Sequence, residues 1–201
     1  MRLSLIEVAG TEPLTAAELA TQLRIDPDGE GVYEEQNTFL REVKAARELF
    51  EDETGRQVLE ATWQVLLPGF PRRRREAVEI PRPPLIEVTA IQYLDAGGAL
   101  QTWDSQEWEA VTPAGTFARP GWIQPTANQS YPLARRQPGS VRITFRAGYE
   151  DNDYPESLRE TLLHIAVGLY EFREPQVVGS IVNSSPSFDR LIARWQLPVM
   201  A

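Results

Sequence analysis

Along this 201-residue chain the spacing of apolar residues changes twice, from helical to alternating near residue 57 and back to helical near residue 155. A period of 3.6 buries one stripe of a helix and a period of two buries one face of a strand, so the pattern sets a β region between two helical ones. The first helical stretch opens with a capping box in Leu14-Thr15-Ala16-Ala17-Glu18, where Thr15 is the N-cap and Glu18 reaches back to it. Leu19 and Leu23 then share one face. A longer helix is expected from about Glu34 to Thr54, with Phe39, Leu40, Val43, Ala46, Leu49 and Phe50 at helical spacing and Gly55 as its C-cap. Its other side carries Glu42, Lys44, Glu48, Glu51, Asp52 and Glu53 and reads as a solvated face. Near the C-terminus, Pro155 starts a helix with the stripe Leu158, Leu162, Ile165, Ala166, Leu169 and Tyr170, ending near Arg173, and Phe188 to Trp195 reads as a short terminal helix.

Between these, a strand is expected up to Leu67, with Ala77 to Ile80 as its partner across Arg72-Arg73-Arg74-Arg75. Pro81-Arg82-Pro83-Pro84 is an extended connector, and Ile86 to Asp95 is a strand that turns at Asp95-Ala96-Gly97-Gly98 and returns through Ala99 to Trp103. Shorter strands are expected at Trp108 to Val111, Gly115 to Ala118 and Trp122 to Gln124, followed by a Pro-, Gln- and Asn-rich loop from Pro125 to Pro138. Val141 to Tyr149 alternates most cleanly, Val141, Ile143 and Phe145 against Arg142, Thr144 and Arg146. The expected class is α+β: a helical bundle built from N- and C-terminal helices, with a large antiparallel β insertion between them. The parts are residues 1–56, 57–149 and 150–201.

The composition excludes several chemistries. With no cysteine there is no disulfide, thiol nucleophile or thiolate metal site, and the single histidine, His164, cannot build the usual zinc sets. No metal and no cofactor is expected. His164 lies in the stripe-bearing helix and reads as a core or boundary residue rather than a general base. Asp151-Asn152-Asp153 begins like a calcium loop, but no glycine stands at the turn and Glu156 comes too early, so it reads as an acidic turn. The N-terminal apolar run is too short for a secretory leader and no stretch reaches the length of a membrane span, so a soluble cytoplasmic product without membrane contact is expected. The formal net charge is -9, which argues against broad gripping of nucleic acid.

That charge is uneven: residues 61 to 150 hold eight acids and ten bases, while both ends are acidic. Arg72 to Arg75 is the densest positive charge and is placed at a hairpin tip, where it is either a solvated loop or a contact for an acidic surface, such as the N-terminal helices of a second copy. Trp63, Trp103, Trp108, Trp122 and Trp195, with Tyr93 and Tyr131, read as core aromatics, with a sugar or base platform as the other reading. Residues Pro175 to Ser187 read as a flexible loop that nevertheless carries Val177, Val178, Ile181 and Val182, a segment able to order on a partner.

Taken together these segments resemble the head-tail connector, or adaptor, proteins of tailed bacteriophages, which also occur in prophages and gene transfer agents. The resemblance rests on Leu14-Thr15-Ala16-Ala17-Glu18 with Leu23-Arg24-Ile25-Asp26, Ala45-Ala46-Arg47-Glu48 with Glu53-Thr54-Gly55-Arg56, and Thr62-Trp63. It continues through Pro83-Pro84-Leu85, Val88, Ile91-Gln92-Tyr93-Leu94-Asp95 and Ile143-Thr144-Phe145-Arg146-Ala147-Gly148-Tyr149 followed by Pro155. Phe117 to Pro138 and the extreme C-terminus depart from the family pattern. The resemblance implies a virion protein of the neck, made in the host cytoplasm, without catalysis. It would assemble as a ring, typically dodecameric, beneath the portal protein and extend the channel through which DNA passes without specific binding. The opposite end of the ring would receive a stopper or tail-completion protein. By position, the portal-contacting residues would be Val178, Ile181, Phe188, Leu191 and Trp195, with Arg72, Arg73, Arg74 and Arg75 as a further partner contact. Glu42, Glu48, Glu51 and Asp52 are expected toward the lumen or a neighbouring subunit. The alternatives are a tail-completion or stopper protein, which would be mostly β without framing helices, or a glycan or small-molecule binder using the Trp-rich β region.

Overall fold

The computed structural model describes residues 1–29, 31–73, 76–150, 153–171 and 186–197. It contains eight strands and four helices among those residues, in two compact units that the chain enters in turn. One unit comprises Met1–Gly10 and Leu59–Asn152 and holds all eight strands. The other comprises Thr11–Val58 and Asp153–Ala201 and holds the four helices.

In the sheet unit, β1 (Arg2–Val8), β2 (Ala61–Leu67), β4 (Leu85–Leu94), β5 (Leu100–Thr102) and β8 (Val141–Ala147) form one antiparallel sheet in the order β1-β2-β8-β4-β5. A second antiparallel sheet has β7 (Gly121–Pro125) between β3 (Val78–Ile80) and β6 (Trp108–Val111). The central strand β8 shows the expected alternation, with Val141, Ile143, Phe145 and Ala147 buried. These residues share one core with Val65 and Ile91 of the same sheet and Ile80 and Ile123 of the smaller one. On the other face, Arg146 pairs with Glu60 at 2.5 Å, with Glu87 at 2.6 Å and with Glu150 at 3.4 Å, so one guanidinium clamps three segments. These hydrogen bonds, donated by Arg146 to Glu87 and Glu60 foremost, raise its pKa above the ordinary arginine value.

In the helical unit, α1 (Ala16–Gln22) starts at the predicted capping box: the Glu18 N–H donates to Thr15 Oγ1 at 3.2 Å, and the Thr15 N–H donates to Glu18 at 2.7 Å. α2 (Gln36–Thr54) buries Phe39, Val43, Ala46 and Phe50 and ends at Gly55, whose φ of 68° is the left-handed cap that glycine adopts without strain. Each large side chain so buried contributes about 1.5–3 kcal/mol. α3 (Glu156–Glu171) buries Leu158, Leu162, Ile165 and Ala166 and meets α2 through Phe39 and Tyr170, whose rings lie 5.4 Å apart. α4 is Pro186–Ala193. No helix among the described residues is long and apolar enough to cross a membrane.

Several expectations are corrected. Residues 2–8 belong to the sheet, not to an N-terminal helical part, and form an edge strand on which Leu5, Ile6 and Val8 are exposed. The sheet unit is therefore not a simple insertion, because its first strand precedes all the helices. The segment at Ala77 to Ile80 does not pair with the first strand of the middle region: β3 pairs with β7, so the arginine run links two sheets instead of capping a hairpin. Gly115 to Ala118 is a turn, closed by the Ala118 N–H to the Gly115 carbonyl at 3.0 Å. β8 stops at Ala147, and Tyr149 makes an isolated bridge with Leu59.

Candidate interaction surfaces

The acidic side of α2 is not uniformly solvated. Glu42 and Glu51 are each only 9% exposed, whereas Glu48 and Asp52 face solvent. The reason lies in Arg47, itself 7% exposed, which donates from Nε to Glu12 at 2.9 Å and from Nη1 to Glu51 at 2.9 Å. The other Glu51 oxygen accepts from Gln57 Nε2 at 2.9 Å and the Val58 N–H at 2.8 Å. Glu51 therefore ties the end of α2 to the segment leaving it, and its carboxylate is committed inside the unit. Burial opposes the charge of Arg47, but the Glu12 hydrogen bond and the charges of Glu51, Glu12 and Glu48 outweigh it and hold its pKa above the ordinary arginine value. Glu42 is engaged by Arg41 at 2.9 Å. Of the four carboxylates expected toward a lumen or a neighbour, Glu48 and Asp52 are the ones presented outward.

A second carboxylate is likewise used internally. Arg159 of α3 donates to Glu18 and, at 2.5 Å, to the Pro13 carbonyl. Burial of Glu18 pushes its pKa up, but the hydrogen bonds from Thr15 and the nearby Arg159 outweigh that and hold it below the usual carboxylate value.

The C-terminal candidates divide. Trp195 is 1% exposed: its indole N–H donates to Thr161 at 3.2 Å, its ring stands edge-on to Phe50 at 5.6 Å, and the Arg56 guanidinium lies over it at 5.7 Å. Arg56 also donates to the Trp195 carbonyl at 2.6 Å. The residue is an anchor of the helical unit and does not offer its ring outward. Leu191 is half-buried on α4, and Phe188 lies in the same helix. Val178 and Ile181 lie outside the described residues, as do Arg74 and Arg75.

Arg72 and Arg73 are exposed in the β2–β3 connection. The structure brings this connection against the Pro125 to Pro138 loop, a juxtaposition that neither segment signals alone. Phe70 stacks on Tyr131 with centroids 5.2 Å apart and stands edge-on to Trp103 at 5.3 Å. The Tyr131 hydroxyl donates to the Glu76 carbonyl at 2.7 Å, and its burial, aided by the Glu76 charge, pushes the phenol pKa up to about 12. The Arg135 N–H donates to the Leu94 carbonyl at 2.8 Å, which fixes the far end of the loop to β4. Between the two segments lies a cleft of about 290 Å³ lined by Phe70, Pro71, Arg72, Tyr131, Leu133 and Arg136 among others. Of the aromatics named for a platform, Trp103 is buried in the sheet core, Trp63, Tyr93, Trp108 and Tyr131 pack partly buried against that core, and Trp195 is buried in the helical unit. His164 is exposed on α3, not a core residue. Among the described residues no group of three His, Cys, Asp or Glu side chains is placed to hold a metal ion.

Among solved structures, the whole chain superposes on a chain from the neck of an empty gene transfer agent particle computed with C6 symmetry, with a TM-score of 0.75, 21% identity, and coverage of 100% of this chain and 98% of that one. The fold is that of gene transfer agent particle chains. A chain of the native gene transfer agent virion matches with a TM-score of 0.74 at 21% identity, and one from the native neck computed with C12 symmetry with 0.72 at 20%, each with the same coverage. No family model matches the sequence, and no curated protein matches it.

Proposed function

We propose that this protein is a structural component of a virion neck, an adaptor that assembles as a ring under a portal protein and extends the DNA exit channel. The observation that carries the reading is the end-to-end match of fold with chains of gene transfer agent necks computed with C6 and C12 symmetry. The helices from the two ends of the chain act in this reading as one bundle. A stopper or tail-completion protein would be mostly β, and a helical unit that takes up about half of the chain favours the adaptor. The role requires no turnover. Its partners are further copies of the chain, the portal protein, and a stopper or tail-completion protein at the other end of the ring. DNA would pass through without specific contacts.

A closed ring needs a heterologous interface, in which unlike faces of neighbouring subunits meet. The two units differ in the required way. The helical unit holds 18 acidic and nine basic residues and so carries the whole net charge of -9, while the sheet unit holds 11 of each. Native mass spectrometry and negative-stain microscopy of the purified protein, with and without its portal, test the reading. A ring, alone or on the portal, is expected; a monomer that also fails to bind portal would sink it.

A further inference from the structure

We propose that the cleft between residues 69–73 and 130–136 is the seat for the outward face of α3 of a second copy of this chain. The inference rests on the ring reading and names one of its contacts. Two arginines frame the cleft: Arg72 on one wall and Arg136 on the other, the latter lying over Gly69, where a Cβ would meet Arg136 Cγ at 3.7 Å. Neither makes an ion pair with any described residue, in contrast to Arg47, Arg146 and Arg159. Between them the lining is apolar and built. The Phe70–Tyr131 stack forms it, Pro71 and Pro132 stiffen it, and Leu133 projects with 83% of its surface exposed.

Cations beside a standing leucine fit an acidic protein surface that also carries an apolar residue. A phosphate backbone offers nothing to Leu133, and gripping it takes a longer array of cations than this. Charge complementarity points to the helical unit, which carries the whole surplus of negative charge. Within that unit the exposed side of α2 carries its own cations, Arg41 and Lys44. The exposed side of α3 places Glu156 and Glu160 one turn apart, with the half-buried Leu163 following on the same side; Arg159 on that helix reaches Glu156 only at 3.9 Å and directs its closer hydrogen bonds to Glu18 and the Pro13 carbonyl. That stripe supplies two carboxylates for two guanidinium groups and an apolar neighbour for Leu133.

The chain has no cysteine, which makes disulfide trapping clean. Full-length Leu133→Cys and Glu160→Cys chains, mixed and mildly oxidised in the assembled ring, are expected to give a disulfide-linked heterodimer in excess of either homodimer, because a bond forms only where Cα atoms come within about 7 Å. Arg72→Glu with Arg136→Glu is expected to abolish the ring, and adding Glu156→Arg with Glu160→Arg to restore it. The proposal is overturned by a heterodimer that forms only with Glu53→Cys on α2, or by linkage within one chain carrying both cysteines. Salt-sensitive binding of labelled duplex DNA that the Arg72/Arg136 reversal removes would assign the cleft to nucleic acid instead. A ring that persists without the Leu133–Glu160 link rejects this contact and leaves the adaptor reading standing, whereas a chain that forms no ring and ignores portal rejects both.

Discussion

Replacing Trp195 by alanine separates an anchor from a contact residue. The side chain is 1% exposed between α2 and α3, and its removal empties a space bounded by Phe50, Arg56 and Thr161. Truncating a buried tryptophan to alanine costs about 3–5 kcal/mol through lost transfer energy and the cavity left behind. The hydrogen bond to Thr161 is worth about 1 kcal/mol and the cation–π contact with Arg56 about as much, but both overlap the truncation cost, so the expected loss is about 4 kcal/mol. Urea unfolding followed by helical circular dichroism measures it. With a slope of about 2 kcal/mol per molar for the transition, the midpoint should fall by about 2 M. Trp195→Phe preserves the edge-on contact with Phe50 and loses the N–H donor, and should fall by less than half as much. A change below about 1 kcal/mol, with portal or ring association abolished, would refute the reasoning and make Trp195 a partner contact.

Other perturbations follow from single contacts. Gly148 has φ of 113° and a Cβ there would stand 2.3 Å from the Leu59 carbonyl oxygen, so Gly148→Ala should cost about 3 kcal/mol by backbone strain and overpacking, read as a lower thermal midpoint. Because Glu18 is held below its usual value in the folded chain, its contribution is present above the unfolded carboxylate pKa, near pH 4.5, and is lost as pH falls through the folded value; Glu18→Gln should flatten thermal stability across that acid range. Tyr131 has the opposite sign: its contribution is intact below about pH 10 and is lost as pH rises toward 12, so a phenol titrating near 12 at 295 nm should vanish in Tyr131→Phe, with the alkaline loss of stability reduced. Arg47→Lys keeps the charge but cannot hold Glu12 and Glu51 at once, and should cost about 1–2 kcal/mol in urea unfolding; a change within 0.5 kcal/mol would show that the fork geometry contributes little.

What was legible in the sequence is what local chemistry decides. The capping box at Thr15 and Glu18, the glycine cap at Gly55, the turn after Asp95 and the alternation of Val141, Ile143 and Phe145 depend on neighbours a few residues away. β1 was hidden because the register shifts between Leu5 and Glu7: Ile6 is the extra residue, so Leu3, Leu5 and Val8 share one face although their spacing in the sequence breaks the alternation, and an exposed edge strand has little burial to keep a pattern clean. The partner of β3 was hidden because β7 lies some forty residues further on, and nothing in a three-residue strand encodes that distance. Glu51 was misread because helical spacing alone puts it among the solvated acids. The Arg47 to Glu51 interval, one turn before a glycine cap, was the available signal that a carboxylate there would be drawn onto the exit segment.

The arginines show why composition could not rank these sites. Nineteen of the 20 basic residues are arginine, which fits either a coding bias or a need for planar, multidentate pairs. At Arg47, Arg146 and Arg159 the second explanation holds, since each guanidinium bonds two or more acceptors and joins segments distant in sequence. In the cleft, Arg72 and Arg136 have the same chemistry and no acidic partner among the described residues, although 29 acids are available in the chain. Cations beside an aromatic stack keep their full hydration only until an anion displaces it, and a carboxylate arriving with an apolar neighbour also covers Leu133. The internal arginines thus consume the acids that close each unit, Glu12, Glu18 and Glu51 in one and Glu60 and Glu87 in the other. The surplus on the helical surface, together with Arg72 and Arg136, which have no acidic partner among the described residues, is what the proposed contact between copies rests on.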